Sequence, residues 1–253
     1  MPDATRRFSG RVHDYLRYRP GYPPALLDAL LAHSNLEAGA VAADVGSGTG
    51  IFTRLLLAAG LRVYAVEPNP EMRDAAEQLF ADEKTFTSVA APAEDTGLGD
   101  GSLDLITAAQ AFHWFNNEAA RAEFERILKA DGFLALIWNK RRTEQAFQRD
   151  YDGLLRKWAP EYIEVNHMKL DDGELAGYFA AGGMQVMRFD NSQNFDFDGL
   201  LGRVKSSSYC PAEDSAAFES LQAELRVLFD RHANSGGIDF DYDTRLYIGR
   251  LRR

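Results

Sequence analysis

Residues 41–56, VAADVGSGTGIFTRLL, constrain the fold of this chain more than any other stretch. A short apolar run carries Asp44, glycines follow at 46, 48 and 50, and an amphipathic run begins at once. Glycines so closely spaced serve a backbone that bends tightly or lets another group come close. A strand that turns through glycine into a helix gathers backbone N–H groups and a helix N-terminus at one point. That point is the carboxyl end of a sheet, where open α/β sheets bind ligands.

The rest of the first half keeps the same rhythm. RVYAVEP (62–68) reads as a second strand closed by Pro68, and NPEMRDAAEQLF as a helix with Asn69 as N-cap and Pro70 in first position. TFTSVAAP is a third strand and SLDLITAAQAF (102–112) a fourth. EAARAEFERILKADG is a helix stopped by Gly132, and FLALIWN (133–139) a fifth strand. Strand and helix in alternation predict right-handed crossovers and a mostly parallel sheet covered on both faces. After residue 139 the rhythm changes. Residues 140–183 carry helical patterns, a long excursion of the kind that forms lids and specificity elements. A strand (MQVMRFDNSQNFDF) and two helices (DGLLGRVKSSSY and SAAFESLQAELRVLFDRH) follow. The chain closes on IDFDYDTRLYIGRL, which reads as an antiparallel edge strand.

Two phosphate sites are tested first against the turn. A dinucleotide fingerprint needs a third glycine at 51, where the residue is Ile51; the glycine stands at 50 instead. No Gly-Lys-Ser/Thr follows, so the turn is not a P-loop. Asp44, just before the turn, opposes a pyrophosphate and favours a cation. Glu67, at the end of the second strand, is placed to accept hydrogen bonds from both hydroxyls of a ribose.

ADVGSGTG followed by YAVEPNPEM resembles motifs I and II of class I S-adenosylmethionine-dependent methyltransferases. AAPAEDTGL, SLDLITAAQAFHWF and RILKADGFLALIWN resemble the segments that follow in that family, so the likeness covers about residues 40–140. YLRYRPGYP, SSSYC and DFDYDTRLYIGR resemble, more loosely, the outer segments of the methyltransferase type 11 grouping related to trans-aconitate methyltransferases. The resemblance implies a Rossmann-like, three-layer α/β/α domain: a seven-stranded, mostly parallel sheet with the last strand antiparallel, plus helical cap insertions. It implies one domain over 1–253, with an N-terminal cap segment (1–35), a cofactor core (36–139) and substrate-cap elements (140–183 and 198–232). S-adenosylmethionine would lie with its methionine part over Gly46, Ser47 and Gly48, in a turn completed by Gly50, its ammonium near Asp44 and its ribose on Glu67. Pro68 and Met72 would flank the adenine, and Ala93 and Glu94 would meet its edge. Gln110 and Ala111 would lie near the sulfonium, a cation that favours aromatic faces such as Tyr15, Tyr22, Phe112 and Trp114. Arg19 is a candidate to pair with a carboxylate of cofactor or substrate. Asn139, Arg142 and Arg203 are further substrate candidates. His113, with an ordinary pKa near ~6.5, is the candidate proton acceptor; an acceptor already ionised would need none. Asp104 reads as structural.

Composition bounds the acceptor. With Lys plus Arg at 28 and Asp plus Glu at 38, the net charge is −10, which argues against a nucleic-acid partner. The basic run NKRRTEQAFQR reads as a solvated helix face. AQAFHW stands where enzymes that methylate nucleobase amines commonly carry Asn/Asp-Pro-Pro-aromatic. A small molecule methylated on oxygen, at a carboxylate or hydroxyl, is the expectation. The alternatives are a nicotinamide-dependent oxidoreductase on a similar sheet and a non-enzymatic module that binds S-adenosylmethionine. The one cysteine, Cys210, excludes an intrachain disulfide and a multi-cysteine zinc site, and no metal is expected. The N-terminus lacks a signal-type apolar run and no stretch approaches the ~20 apolar residues of a membrane span, so a cytoplasmic location is expected. Oligomeric state is not legible.

Overall fold

The elements of the computed structural model, in chain order, are α1 (Val12–Tyr18), α2 (Pro24–Ser34), β1 (Val41–Val45), α3 (Thr53–Ala58), β2 (Arg62–Val66), α4 (Pro70–Leu79), β3 (Phe86–Val89), β4 (Leu103–Ala109), α5 (Glu118–Ile127), β5 (Leu128–Arg141), α6 (Ala146–Trp158), α7 (Asp172–Ala176), β6 (Gln185–Phe195), α8 (Phe197–Lys205), α9 (Ala216–His232) and β7 (Ile238–Arg250). The structure describes residues 12–115, 117–163, 172–181 and 183–251. Parts of the expected N-terminal cap (1–11) and of the 140–183 excursion (164–171 and 182) therefore lie outside the described residues.

One seven-stranded sheet runs in the order β3-β2-β1-β4-β5-β7-β6. Neighbours from β3 to β5 pair in parallel, and β7 is antiparallel to both β5 and β6. Successive side chains in a strand face opposite ways, and here both ways are apolar. Ala42, Leu105, Ala135 and Ile137 pack with Leu26 and Leu30 of α2 and Leu56 of α3. Their neighbours Ala43, Ile106, Leu134 and Leu136 pack with Phe124 and Ile127 of α5 and Leu175 of α7. A third apolar cluster joins α6, α8 and α9 to Phe195 of β6 and to Ile238, Phe240 and Tyr242 of β7.

Three expectations about boundaries are corrected. The C-terminal strand is not an edge: β7 lies between β5 and β6, and β6, whose residues alternate between exposed and half-buried, is the edge. α5 ends at Ile127, not at Gly132, because Leu128 is already extended (ψ 136°) and pairs with Leu103. The register then shifts between Leu103 and Leu105, and a Cβ on Gly132 would come within 2.8 Å of Leu128, so that glycine admits an irregularity inside β5. β4 stops at Ala109, since Gln110 takes the left-handed backbone conformation (φ 58°) and leaves the ladder.

The start of α4 follows the sequence reading. The Asn69 side chain accepts from Met72 N at 3.0 Å and Pro70 opens the helix. Asn69→Ala is expected to cost about 1–2 kcal/mol in urea unfolding, the usual range for losing an N-cap. A loss below about 0.3 kcal/mol would show that the cap contributes nothing here.

Candidate active site

Three loops leave the sheet at the carboxyl ends of β1, β2 and β4. The first is held to β2, with Gly46 N and Ser47 N both donating to Val66 O (2.8 and 3.2 Å). Gly46, Gly48 and Gly50 all have positive φ (69°, 57° and 85°), which L-residues avoid. Glu67 ties this loop to the next: Oε2 accepts from Gly48 N and Oε1 from Asn69 N, both at 2.9 Å. The third loop is fixed by Gln110, whose N–H donates to Ile137 O at 2.8 Å.

Between the loops lie two adjoining cavities that share Tyr15, Gly46, Gln110 and Trp114 as a common wall. The first, of about 1030 Å³, gathers Gly48, Glu67, Pro68, Met72, Ala93, Glu94 and Ala111, together with Pro92 and Phe115. Its walls suit the expected cofactor. The apolar Pro68, Met72, Pro92 and Ala93 offer a slot for a flat base. Each oxygen of an ionised carboxylate can accept more than one hydrogen bond, so Glu67 keeps capacity for a diol while holding both backbone N–H groups. A Cβ on Gly48 would point into open space, with Tyr15 Oη the nearest atom at 4.0 Å, so the bare Cα leaves a cradle there. Burial raises the Glu67 pKa, although Asn69 N and Gly48 N work against it.

The second cavity, of about 990 Å³, gathers Arg19, Tyr22, Asp44, Ser47, His113, Asn139 and Arg203 of the expected residues. Asp44 is buried and accepts from Thr53 Oγ1 at 2.7 Å and Thr107 Oγ1 at 2.9 Å. Burial lifts its pKa to about 6, with the two threonines pulling the other way. The Ser47 hydroxyl is buried and, among the described residues, without a hydrogen-bond partner. Asn139 is spoken for on both ends of its amide: Nδ2 donates to Gly21 O (3.2 Å), and Oδ1 accepts from Thr244 Oγ1 (2.5 Å) and Asn191 Nδ2 (3.1 Å). It therefore clamps the N-terminal segment to β5 and β7 while lining the cavity.

Three expected residues stand elsewhere. Gly50 lines neither cavity; a Cβ there would meet the Phe80 ring at 2.4 Å, so this glycine serves packing. Phe112 is buried in the core against Phe115, Trp138 and Tyr178. Arg142 lies on the surface, paired with the exposed Asp190. His113 lines the cavity, but not as an ordinary imidazole. Burial, and after it the charge of Arg19, lowers its pKa to about 3, so the ring is neutral at physiological pH and a weak base.

The second cavity also contains residues the sequence reading missed: Arg141, Tyr162, Tyr209 and Tyr242. Arg141 belongs to the basic run expected to form a solvated helix face, yet it ends a strand and is buried. The alternation of a strand was the available signal. Residues two apart share a face, so Asn139 brings Arg141 with it and turns Arg142 away. Arg141 pairs with Tyr242 in the β5–β7 ladder, and its guanidinium meets the Tyr162 hydroxyl. Arg203 reaches Tyr242 Oη (3.3 Å) and Ser207 Oγ (3.2 Å), and Arg19 lies 4.9 Å from the Tyr15 ring and donates to Ser206 O at 2.8 Å. Tyr209 feels this cluster. Burial alone would raise its pKa, but Arg141, Arg203 and Arg19 together hold it below the usual value. Among the described residues no cluster of His, Cys, Asp or Glu could hold a metal ion. Among the same residues no helix is long and apolar enough to cross a membrane.

Residues 43–136 match the family model of a methyltransferase domain. Over 246 residues the chain is 37% identical to the uncharacterized methyltransferase Mb3374 of Mycobacterium bovis, a match that spans 96% of this chain and 94% of that one. It is 29% identical over 251 residues to the uncharacterized methyltransferase-like C25B8.10 of Schizosaccharomyces pombe, with 96% and 94% covered. The fold is also that of Haemonchus contortus phosphoethanolamine N-methyltransferase 2, whose structure holds S-adenosylmethionine: TM-score 0.59 and 14% identity, covering 99% of this chain and 60% of that one.

Proposed function

The chain belongs to the class I S-adenosylmethionine-dependent methyltransferases, and on that premise we propose that its acceptor is a small carboxylic acid methylated on oxygen. Family membership sets aside the oxidoreductase and the non-enzymatic alternatives. The observation that carries the acceptor class is the charge of the second cavity: three guanidiniums, of Arg19, Arg141 and Arg203, line it against one carboxylate, that of Asp44. Guanidinium forks recognise carboxylates. A cytoplasmic, small-molecule role without a nucleic-acid partner belongs to the same proposal, in keeping with the net charge of −10.

In this reading Glu67 would hold the ribose, Pro68, Met72, Ala93 and Glu94 would surround the adenine, and the turn of Gly46, Ser47 and Gly48 would carry the methionine end, with its ammonium paired to Asp44 where the two cavities join. When bound, the cofactor would supply an electrophilic methyl group on a sulfonium that would become a neutral thioether; an acceptor carboxylate would provide the electron pair of the new bond and have no proton to lose. The residues of the chain then have two tasks. Tyr15, Gln110 and Trp114, shared by both cavities, bring the two ligands together and exclude water. The arginines orient the acceptor. α6, α8 and α9 with the 160–162 turn, through their apolar cluster, roof the acceptor side.

A carboxylate needs no general base, and the weakly basic His113 suits that chemistry. His113→Gln is expected to keep kcat within about tenfold, whereas loss of a working general base lowers it by ~10²–10⁴. A drop beyond a hundredfold would return the base to the mechanism. The acceptor class is tested by incubating the enzyme with labelled S-adenosylmethionine and panels of carboxylic acids, phenols and amines. Label in alkali-labile methyl esters is expected. Label confined to phenols or amines would overturn the assignment.

A further inference from the structure

We infer that Tyr18 is a positioning residue: its ring, seated on Gly202, holds α1 across both cavities as a strap, and that seat opens for the cofactor to enter and leave. The inference rests on the placing of S-adenosylmethionine in the first cavity and is independent of the acceptor class.

The seat is read from a glycine that its backbone does not require. Gly202 stands inside α8, where glycine weakens a helix relative to alanine. What it supplies is room, because a Cβ there would overlap the Tyr18 ring. Tyr18 is the last residue of α1 and packs on the apolar cluster of α6, α8 and α9. A chain of hydrogen bonds ties the same point to the acceptor side. Arg203 Nε donates to Tyr242 Oη (3.3 Å), Tyr242 Oη to Gln193 Oε1 (3.0 Å), and Gln193 Nε2 to Tyr18 O (3.3 Å). On the cofactor side α1 approaches α4, and Tyr15 enters the wall shared by the two cavities. α1 therefore bridges from α4, which carries Met72, to α8, which carries Arg203.

Of the elements around the two cavities, α1 is the one suited to leave. It has seven residues, none of them buried, too few for a helix to be stable by itself. The foot of the strap is firm. Gly21 O accepts from Asn139 Nδ2 (3.2 Å) and Asn191 Nδ2 (3.0 Å), and Arg19 Nη2 donates to Ser206 O (2.8 Å). The loops after β1, β2 and β4 are instead bound to the sheet and to one another through Gly46 N, Ser47 N, Gln110 N and Glu67. Segments with little buried surface open first. A ligand that touches Tyr15 favours the closed form and so draws α1 onto its seat.

Trypsin reads the seat directly. Arg17 is exposed in α1, and the Arg17–Tyr18 bond is withheld from the protease while the helix is seated; Arg19 precedes Pro20, a bond trypsin spares. In the wild type the cut at Arg17 is expected before any other among the described residues. S-adenosylhomocysteine at about a hundred times its Kd is expected to slow that cut by at least about tenfold. Gly202→Ala crowds the ring off its seat. It is expected to speed both the Arg17 cut and the dissociation of S-adenosylhomocysteine, followed by stopped-flow tryptophan fluorescence, by about tenfold each. The unfolding midpoint should not fall, because alanine favours the helix. Tyr18→Ala is expected to act alike, and Gly202→Ala added to it to change nothing further, since the new methyl then meets no ring. Wild-type rates in Gly202→Ala, additive effects of the two substitutions, or an Arg17 cut indifferent to S-adenosylhomocysteine that binds in calorimetry would each overturn the inference. If S-adenosylhomocysteine does not bind the folded wild type at all, the cofactor placement fails and the inference with it. The wild-type digestion decides the matter alone should a variant not fold.

Discussion

Glu67→Gln lowers the affinity for S-adenosylmethionine by about a hundredfold or more in calorimetry, while the thermal unfolding midpoint moves by only a few degrees. The two parts have separate causes. Glu67 ties the glycine turn to the end of β2, through Gly48 N and Asn69 N at 2.9 Å each. An amide keeps one acceptor oxygen and turns an NH₂ donor toward the other backbone N–H, so one of those bonds becomes a donor–donor contact. Hydrogen bonds to a charged group are worth about 1.5–3 kcal/mol, and the proposed ribose contacts would weaken with them. Folding stability carries an opposite contribution. Burial raises the folded pKa of Glu67 above its ordinary value, so the ionised carboxylate is a burden on the fold at neutral pH. The stability linked to its protonation is present below the unfolded pKa and is lost as pH rises through the folded one. Removing the charge relieves that burden and offsets part of the lost hydrogen bonding. A variant that binds the cofactor like the wild type would remove Glu67 from the site. A large fall in unfolding midpoint with unchanged affinity would make its role structural.

The parts of this fold that the sequence discloses are those written in local chemistry. The glycine turn is legible because glycine takes the left-handed backbone at 46 and 48 at the least cost, and α4 because Asn69 and Pro70 mark its start. The cofactor side is built almost wholly from loops that directly follow β1, β2, β3 and β4, so residues close in sequence are close in space. The acceptor side is different. Arg141 and Tyr242 meet through a ladder that joins residues 101 positions apart, and Arg203 arrives from α8. The basic run at 139–149 mixes a strand end with a helix, and helical periodicity therefore hides Arg141. The place of Phe112 is also hidden by a local turn. Gln110 leaves the strand with a positive φ, and the short 3₁₀ turn after it points His113 and Trp114 to the cavity and Phe112 into the core. The order of β6 and β7 escaped too, because two alternating strands leave open which one is the edge until the pairing is known.

Gly46→Ala is expected to destabilise the fold by about 2–4 kcal/mol, a fall in unfolding midpoint of roughly 5–10 °C for a chain of this size, and to abolish measurable cofactor binding. Two costs combine. Gly46 has φ 69°, and an L-residue in the left-handed region pays about 1–2 kcal/mol. Its Cβ would also lie 2.5 Å from Ala111 Cβ and 3.2 Å from Phe115 Cε1, closer than carbon atoms approach. Neither neighbour is the free end of a long side chain. Ala111 is buried on the loop after β4, so relief must come from parting that loop from the one after β1. Gly46 belongs to the wall between the two cavities, and parting the loops there disturbs both. The same reasoning separates it from Gly48, whose φ of 57° carries similar strain but whose Cβ would have open space, so that Gly48→Ala costs the fold about 1 kcal/mol and acts mainly by filling the cradle. The double variant Gly46→Ala/Ala111→Gly isolates the clash: it should recover the steric part of the loss and keep the conformational part, with a coupling of about 1–2 kcal/mol between the two sites. Additive losses would mean that the two loops do not touch at this point, and a Gly46→Ala midpoint equal to that of the wild type would mean that the turn does not take its left-handed form.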